Sequence, residues 1–384
     1  MGVDAMATVR TIAINGRYLS QPVTGVQRFA VELVRALDHE IAAKRIDIEN
    51  TRVVLAVPPG VQLPALRAIQ AVSVGNRTGH LWEQLSFPRA FQNALKVNLC
   101  GGAPFFSSDQ IVTFHDAAVF TAPDAYSRGF RMWYRALFRR QGRISRTVLT
   151  VSEFSRRELA ARCGITLGKI AVVSPSAQHI LDVTPDDSIL SRLHLRDQGF
   201  ALCVGSRQAN KNLGILEETE KHLNAPRFEM VVVGDGSQSA FRSSSIRSGW
   251  VRFPGRVSDA ELSALYRHAL CFISPSHYEG FGIPAVEAMH CGCPVLAARA
   301  AAIPETCGDA ALYFDPRRAG DLAARLEHLC GNPAERQRLR QLGYLRAAGY
   351  SWRSSAHRLW EVIGAGTTAS ACVNAGRKEQ AWVQ

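Results

Sequence analysis

Two glutamates and two glycines lie within one short stretch, at a spacing that suits the binding of a polar ligand. Seven residues separate Glu279 from Glu287, and Gly280 and Gly282 lie between them. A carboxylate can accept hydrogen bonds from two neighbouring hydroxyl groups of a sugar. Glycines let a ligand approach the backbone, and the free N–H groups at the start of a following helix suit a phosphate. We therefore expect Glu279 to accept hydrogen bonds from a sugar and Glu287 to reach another hydroxyl group of the same ligand.

The flanking residues predict the elements that position these groups. An apolar run at 270–273 indicates a buried strand before the loop. Pro284 suits the first turn of a helix, and Gly292 followed by Pro294 marks its end. A tight turn with two solvated glutamates is the alternative that spacing alone leaves open.

Residues 279–295 resemble the donor-binding signature of family-4 retaining glycosyltransferases, E-x7-E followed by A-M-x-x-G-x-P-V. The resemblance extends from about residue 12 to 363. It implies the α/β GT-B fold, in which two Rossmann-like domains with parallel sheets face each other across the active site. It implies a nucleoside-diphosphate sugar as donor, with Glu279 as a catalytic residue that positions the sugar and Glu287 on the donor ribose. The residues that complete this part of the donor site are Gly280, Phe281, Gly282 and Ile283.

A second loop follows the strand predicted at 200–205 and carries basic residues suited to a diphosphate. Family members place a lysine on the phosphates in the pattern G-x5-K-N, which Lys211 matches. Their companion arginine usually follows the glycine directly, whereas Ser206 stands there in this chain and Arg207 comes one position later. The resemblance also places Val257 beside the nucleotide base.

The first half of the chain contributes two further candidates. Gly25 precedes a helix predicted at 26–37, where a phosphate or sugar could bind. His115 and Asp116 follow a strand predicted at 111–114, and the carboxyl ends of parallel strands are where ligands bind in open α/β sheets. A histidine that merely caps the strand is the alternative. The V-T-x-H-D pattern resembles family-4 enzymes, which implies that His115 faces the donor sugar from the first domain.

Arginines recur every three or four residues near a helix predicted at 130–144, and aromatic residues line another face. One interpretation is an amphipathic helix with a solvated basic face. The other is a surface for a phosphorylated acceptor or an anionic membrane, formed by Arg131, Arg135 and Arg139. No nucleic-acid motif accompanies the helix, so we expect no nucleic-acid partner.

The composition suits a globular protein of two domains. The chain has 384 residues, of which 47% are hydrophobic, and a net charge of +12 from 45 basic and 33 acidic residues. This charge permits anionic partners without choosing among them. Residues 1–10 lack the apolar core of a secretory signal, and no stretch approaches the roughly 20 apolar residues of a membrane span. We expect a cytoplasmic protein, with Met1 or Met6 as its start.

Cysteines and acidic motifs give no sign of a metal. The nine cysteines are scattered and are best interpreted as buried free thiols in a reducing compartment. Cys291 and Cys293 have no second pair at ligand spacing, and no D-x-D motif is evident. This agrees with the resemblance to family-4 glycosyltransferases, which implies an enzyme that works without a bound metal, and we expect no other cofactor.

The predicted domain boundaries are 1–176 for an acceptor domain and 177–350 for a donor domain. A helix at 351–365 is expected to cross back to the first domain, and 366–384 is expected to be a disordered tail.

The segments W-E-Q-L, T-F-H-D and V-S-E-F-S resemble bacterial mannosyl- or rhamnosyltransferases of surface-polysaccharide assembly. This resemblance implies transfer of a hexose, with GDP-mannose as the preferred donor. The implied acceptor is a polyprenyl-diphosphate-linked or growing glycan, with peripheral contact at the inner membrane. A rhamnosyl- or glucosyltransferase using a dTDP- or UDP-sugar stays open, as do a GT-B sugar-nucleotide epimerase and a non-catalytic anion-binding protein. Front-face displacement and a double displacement through Glu279 also stay open.

Overall fold

The computed structural model describes residues 9–121, 126–206, 208–223, 228–234 and 250–379. Within these residues, parallel strands form two separate sheets with helices packed around them. The strands of the first sheet are β1 (Arg10–Asn15), β2 (Thr51–Val57), β3 (Gln70–Ser73), β4 (Leu95–Asn98), β5 (Gln110–Thr113), β6 (Thr147–Thr150) and β7 (Ile170–Val172). The helices of this domain are α1 (Gly25–Ala42), α2 (Gly79–Leu81), α3 (Phe87–Ala90), α4 (Ala118–Thr121), α5 (Arg128–Ile144) and α6 (Glu153–Cys163).

The second domain repeats this pattern. Its strands are β8 (Phe200–Val204), β9 (Glu229–Val233), β10 (Val251–Gly255), β11 (Cys271–Ser274), β12 (Val295–Ala298) and β13 (Ala311–Phe314). The helices from here to the end of the described chain are α7 (Ser188–Arg192), α8 (Gly214–Glu220), α9 (Asp259–His268), α10 (Ile283–His290), α11 (Ile303–Cys307), α12 (Ala319–Gly331), α13 (Pro333–Ala348) and α14 (Trp352–Glu379).

Both sheets are doubly wound. The strand orders are β3-β2-β1-β4-β5-β6-β7 and β10-β9-β8-β11-β12-β13. In each domain the order reverses beside its first strand, between β1 and β4 and between β8 and β11. Ligands of such sheets bind outside the carboxyl ends of the strands at this switch point. The prediction of two Rossmann-like domains in a GT-B arrangement is confirmed.

Burial on both faces explains why most strands were recognisable in the sequence. Ile12, Ala13 and Ile14 of β1 are fully buried, as are Phe200, Ala201 and Leu202 of β8. Central strands of a parallel sheet are covered by helices on both faces, so they consist of continuous apolar runs. Because these apolar runs are continuous, they can be recognised as strands in the sequence.

Residues 79–98 form two short helices and a strand. A π-helical turn at Trp82–Ser86 joins α2 to α3, which ends at Ala90, and residues 95–98 form β4. Strand β4 escaped recognition because it carries Lys96 and Asn98, which are nevertheless buried. Lys96 Nζ donates to the Ala94 carbonyl at 3.0 Å, and Asn98 Nδ2 donates to Gln110 Oε1 at 3.0 Å.

Helix α14 connects the second domain back to the first. It packs against α1, where His357 Nε2 lies 3.0 Å from Glu40 Oε2. The helix extends to Glu379 rather than ending near residue 365 as predicted, and no proline interrupts it. Among the helices of the described ranges, none combines the length and the hydrophobicity needed to cross a membrane.

Candidate active site

The loop between β11 and α10 has the predicted strand–loop–helix geometry. Strand β11 ends at Ser274, and α10 begins at Ile283 with Pro284 in its first turn. Gly282 caps the helix with φ of 101°, a conformation that side chains other than glycine rarely adopt. The first N–H groups of α10 have no partner within the helix, so its N-terminus can bind an anion.

The two glycines of this loop allow close packing between neighbouring segments. A Cβ atom on Gly280 would lie 2.5 Å from the His115 carbonyl oxygen, which belongs to the first domain. A Cβ atom on Gly282 would lie 2.6 Å from Ile303 Cδ1. Both contacts are closer than real Cβ atoms tolerate. The glycines therefore permit close contact between protein segments, in addition to the approach of a ligand to the backbone.

Glu279 and Lys211, predicted from separate motifs, form an ion pair. Lys211 Nζ lies 2.6 Å from Glu279 Oε1, and the Ser276 hydroxyl donates to the same oxygen at 2.7 Å. Their side chains are 18% and 23% exposed, so a ligand can reach both. A diphosphate entering here would compete with Glu279 for the lysine ammonium.

His115 and Asp116 lie opposite this pair, in the loop after β5. His115 Nε2 lies 2.9 Å from the Leu99 carbonyl, and Phe29 contacts its ring edge-on with centroids 5.0 Å apart. Burial lowers the pKa of His115 to about 4, against the opposing effect of the hydrogen bond to Leu99. The imidazole is therefore neutral near pH 7, so Nε2 carries the proton donated to Leu99 and Nδ1 is an acceptor.

Asp116 is a candidate that the sequence analysis mentioned only as the partner of His115. Its Oδ1 accepts the Ala118 N–H at 2.8 Å. The pKa of Asp116 lies above its ordinary value, chiefly because of burial and also because of the nearby charge of Glu279. The hydrogen bond from the Ala118 N–H and the Lys211 ammonium act in the opposite direction. The charges of both donor-site residues act on Asp116, which places it in the same cleft.

Gly25 lies at the start of α1 and faces the second domain. The atom nearest to a Cβ built on Gly25 would be Ile283 Cδ1, at 4.0 Å. Ile283 is the first residue of α10. The N-termini of α1 and α10 therefore lie close together, one from each domain.

Hydrogen bonds between the domains surround this cleft. The hydroxyls of Ser152 and Ser155 donate to the Gly280 carbonyl at 2.6 and 3.2 Å. The Glu305 carboxylate accepts the backbone N–H groups of Glu153 and Phe154, each at 2.7 Å, and so caps α6 from the opposite domain. The segment V-S-E-F-S therefore holds the donor loop in place.

Glu287 lies deeper than Glu279, on the first turns of α10, and is 7% exposed. His179 Nε2 lies 2.9 Å from its Oε1, and the Tyr266 hydroxyl donates to Oε2 at 2.9 Å. Burial raises the pKa of Glu287, but His179, Tyr266 and Arg28 together hold it below its ordinary value. Glu287 is thus a buried carboxylate, and its contact with a donor ribose stays a prediction.

The apolar donor-site candidates mainly serve packing. Phe281 is 5% exposed, and its ring contacts Tyr350 with centroids 5.1 Å apart. Val257 is partly buried and packs against the core beside α9. Arg207 lies outside the described residues, so the structure does not place it.

The candidate arginines of α5 differ in exposure: Arg139 is exposed, whereas Arg135 is held partly buried by its contacts. Arg135 Nε donates to the Val119 carbonyl at 2.8 Å, and its guanidinium lies over the Phe120 ring. Arg139 lies over the same ring, whereas Arg131 is half-buried. The pKa of Arg135 is lowered by burial and by these two arginines.

An aromatic–arginine patch lies next to these arginines. It consists of Phe105, Phe106, Trp133 and Arg140. Phe106 is 84% exposed and Trp133 is 39% exposed, while the Arg140 guanidinium lies over both phenylalanine rings. Sequence reasoning missed the phenylalanines because they lie in a loop without periodicity.

Among the described residues, no three or more histidine, cysteine or acidic side chains are grouped so that they could hold a metal ion. Metal independence therefore stays a prediction.

Comparison with known proteins assigns both domains. Residues 190–346 match the family described as "Glycosyl transferases group 1", and residues 107–177 match "Glycosyltransferase Family 4". The first range contains Lys211, Glu279 and Glu287, and the second contains His115. A fold of two facing Rossmann-like domains with these residues at the cleft defines a glycosyltransferase of the GT-B class. Within that class, the chain is similar to family-4 members over residues 107–177.

Individual relatives and structures agree with this assignment. The chain is 27% identical over 360 residues to O-antigen chain mannosyltransferase B of Escherichia coli, which covers 88% of this chain and 94% of the relative. It is 30% identical to MMP alpha-(1->4)-mannosyltransferase of Mycolicibacterium hassiacum, over 59% of this chain and 58% of the relative. Sucrose-phosphate synthase of Thermosynechococcus elongatus shares the fold, with a TM-score of 0.70 at 18% identity over 94% of this chain and all of that one.

Proposed function

We propose that this enzyme transfers mannose from GDP-mannose to a growing surface-polysaccharide glycan, with retention of the anomeric configuration. The observation that carries the proposal is the similarity to O-antigen chain mannosyltransferase B over nearly the full length of both chains. The partly buried ion pair between Lys211 and Glu279, which a ligand can still reach from the interdomain cleft, supplies a site with suitable chemistry.

The donor diphosphate is proposed to bind between Lys211 and the N-terminus of α10. The lysine contributes a full positive charge, and the helix contributes N–H donors. Both stabilise the negative charge that builds up on the leaving diphosphate. The Glu279 carboxylate then accepts hydrogen bonds from the mannose, and Glu287 holds the ribose.

His115 is proposed to contact the mannose from the first domain. Because its pKa is lowered to about 4 by burial, the ring stays neutral and Nδ1 can accept a sugar hydroxyl. This proposed role requires no proton transfer by His115.

The proposed reaction is a front-face displacement. The bond between C1 of the mannose and the β-phosphate oxygen breaks, and a bond from C1 to the acceptor oxygen forms on the same face. The proton of the acceptor hydroxyl passes to the departing phosphate, so the products are GDP and the extended glycan. A double displacement with Glu279 as nucleophile is the alternative, and a trapped glycosyl-enzyme adduct on Glu279 would identify it.

Thermal stability in the presence of nucleotides tests both the identity of the donor nucleotide and the independence of binding from a metal. GDP is expected to raise the Tm of the enzyme more than UDP, dTDP or ADP, and EDTA is expected to leave this shift unchanged. A larger Tm shift with UDP or dTDP would identify a UDP- or dTDP-sugar as the donor instead of GDP-mannose. A Tm shift that EDTA abolishes would show that nucleotide binding depends on a metal. No shift with any nucleotide would contradict the glycosyl-donor site itself.

We further propose that the acceptor is linked to a polyprenyl diphosphate and is reached at the cytoplasmic face of the inner membrane. The support is the aromatic–arginine patch, since exposed aromatic rings beside arginines suit the interface of anionic lipid. Wild-type enzyme should cosediment with anionic vesicles, and Phe106→Ser should reduce this binding severalfold. Equal sedimentation of both proteins would exclude the patch.

A further inference from the structure

The segment that joins the two domains is fixed by contacts with α9, α10 and the start of α14. It forms a 3₁₀ turn at Gln178–Leu181 that packs against α9 and α10. Gln178 Oε1 accepts the backbone N–H of Trp352 at 3.1 Å, and the Ser176 hydroxyl donates to the Tyr350 carbonyl at 2.9 Å. The start of α14 thus fixes the turn, and His179 is the turn residue that contacts α10.

His179 is buried together with its partner. It is 6% exposed, and its Nε2 lies 2.9 Å from Glu287 Oε1. Tyr266, fully buried, donates to the other oxygen of Glu287 at 2.9 Å. Two donors from different elements therefore fix both oxygens of one carboxylate. A carboxylate has about four acceptor positions, so each oxygen can still accept a ligand hydroxyl.

The environment of Nδ1, the second ring nitrogen of His179, favours a functional role for this residue. Nδ1 is buried and has no hydrogen-bond partner in the described part of the chain. Buried polar atoms of folded proteins are nearly always paired, and an unpaired one costs stability. The hydrogen bond from the ring to Glu287 offsets the cost of the unpaired Nδ1. This favours a functional role, rather than a purely structural one, for a histidine at position 179.

The charge of the site agrees with this role. Arg28 of α1 adds a positive charge near Glu287 from the first domain, while its guanidinium pairs with Asp259 at 2.7 Å. With His179 and Tyr266 as donors, Glu287 stays ionised and therefore remains a strong acceptor.

We propose that His179 is a positioning residue for the donor: it holds the Glu287 carboxylate in the orientation in which its remaining lone pairs accept the ribose hydroxyls. The proposal rests on the proposed function, because it takes Glu287 as the ribose ligand. Through His179, the linker between the domains contributes to nucleotide affinity.

Calorimetric titration of the full chain tests this role with GDP, 2′-deoxy-GDP and inorganic pyrophosphate. His179→Gln places an amide Nε2 near the position of the histidine Nε2, whereas the shorter side chain of His179→Asn cannot reach Glu287. His179→Asn is expected to bind GDP roughly tenfold more weakly, the usual effect of one lost charged hydrogen bond, and pyrophosphate as tightly as wild type. His179→Gln should restore most of the GDP affinity. His268→Asn, on the surface end of α9 beside Asp197, is the matched control.

The preference for GDP over 2′-deoxy-GDP separates a positioning role from a structural one. It should shrink in His179→Asn and persist in His179→Gln, with KM for the donor changing more than kcat. If His179→Asn binds GDP as wild type does, or weakens GDP and pyrophosphate equally, the positioning role is overturned while the proposed function stands. If wild type binds no nucleoside diphosphate, the proposed function fails, and the positioning role fails with it. Tyr266→Phe removes the other hydrogen-bond donor to Glu287, and it takes the place of His179→Asn if that variant does not fold.

Discussion

Glu279 uses only one of its two oxygens within the described part of the chain. Lys211 and Ser276 both contact Oε1, at 2.6 and 2.7 Å, so Oε2 is left for a sugar hydroxyl. In the proposed function, the same carboxylate contacts both the lysine assigned to the diphosphate and the sugar, so Glu279 would affect turnover without being a nucleophile.

Glu279→Ala is expected to lower kcat/KM for sugar transfer at least ~100-fold, the scale of losing a preorganised electrostatic contact. The circular dichroism spectrum should stay that of wild type, because the side chain is partly exposed. Glu361→Ala, on the exposed face of α14, is the control and should retain full activity. Turnover near wild type in Glu279→Ala would remove this residue from the active site.

Lys211→Ala is expected to weaken GDP binding roughly tenfold while changing GMP affinity little, since the lysine is assigned to the diphosphate. Calorimetry with both nucleotides measures the difference, and the exposed Lys221→Ala serves as the control. An unchanged ratio of GDP to GMP affinity would show that the phosphates bind elsewhere.

His115 predicts a pH dependence of stability. Its pKa is about 4 in the folded protein because of burial, against about 6.5 in an unfolded chain. Between these values the unfolded chain takes up a proton that the folded protein does not, so stability falls as pH falls from about 6.5 to about 4. Above about 6.5 the contribution is complete.

Melting temperatures of wild type and His115→Gln between pH 4 and 7 test this dependence. The variant should show a shallower decline, and the exposed His222→Gln should follow wild type. Parallel curves for wild type and His115→Gln would contradict the depressed pKa.

At the scale of elements, the N-terminus of α6 is capped twice. Ser152 accepts the Ser155 N–H at 3.0 Å within the first domain, and Glu305 accepts two further N–H groups from the second. A carboxylate at a helix N-terminus also interacts favourably with the helix dipole. Helix α6 is therefore both an element of the first domain and part of the contact that closes the cleft.

Glu305→Ala is expected to loosen this contact, at a cost of about 1 kcal/mol for the lost cap. Small-angle scattering of the ligand-free enzyme should show a larger radius of gyration, and KM for the donor should rise. Asp309→Ala, on the neighbouring surface, is the control. An unchanged radius of gyration and KM would show that Glu305 does not help to close the cleft.

Local signals in the sequence predicted those parts of the molecule that depend on neighbouring residues. The capping box of Ser258 and Glu261, which starts α9, consists of residues three positions apart, and the glycine, proline and apolar pattern around Glu279 predicted the loop between β11 and α10. Contacts between distant residues left no such signal. His179 and Glu287 are 108 positions apart, and the need for glycine at 280 arises from the backbone at His115.

At the scale of the whole molecule, each domain supplies one side of the cleft. The second domain contributes Lys211, Glu279 and Glu287, and the first contributes Gly25 and His115. Helix α14 and the linker at 174–187 hold the two together, with the Ser355 hydroxyl donating to the Ser174 carbonyl at 2.6 Å. In the proposed function, both sides of the cleft contact the same sugar.

The most direct measurement of the central claim is transfer by the purified enzyme to a lipid-diphosphate-linked mannose oligosaccharide. GDP-mannose, UDP-glucose and dTDP-rhamnose are offered separately, and the product is followed by mass spectrometry and NMR. We expect one hexose to be added from GDP-mannose only, as an α-linked mannose that retains the donor configuration, in the presence of EDTA. Transfer from another donor, a β-linked product, or release of free sugar without extension of the acceptor would contradict the account.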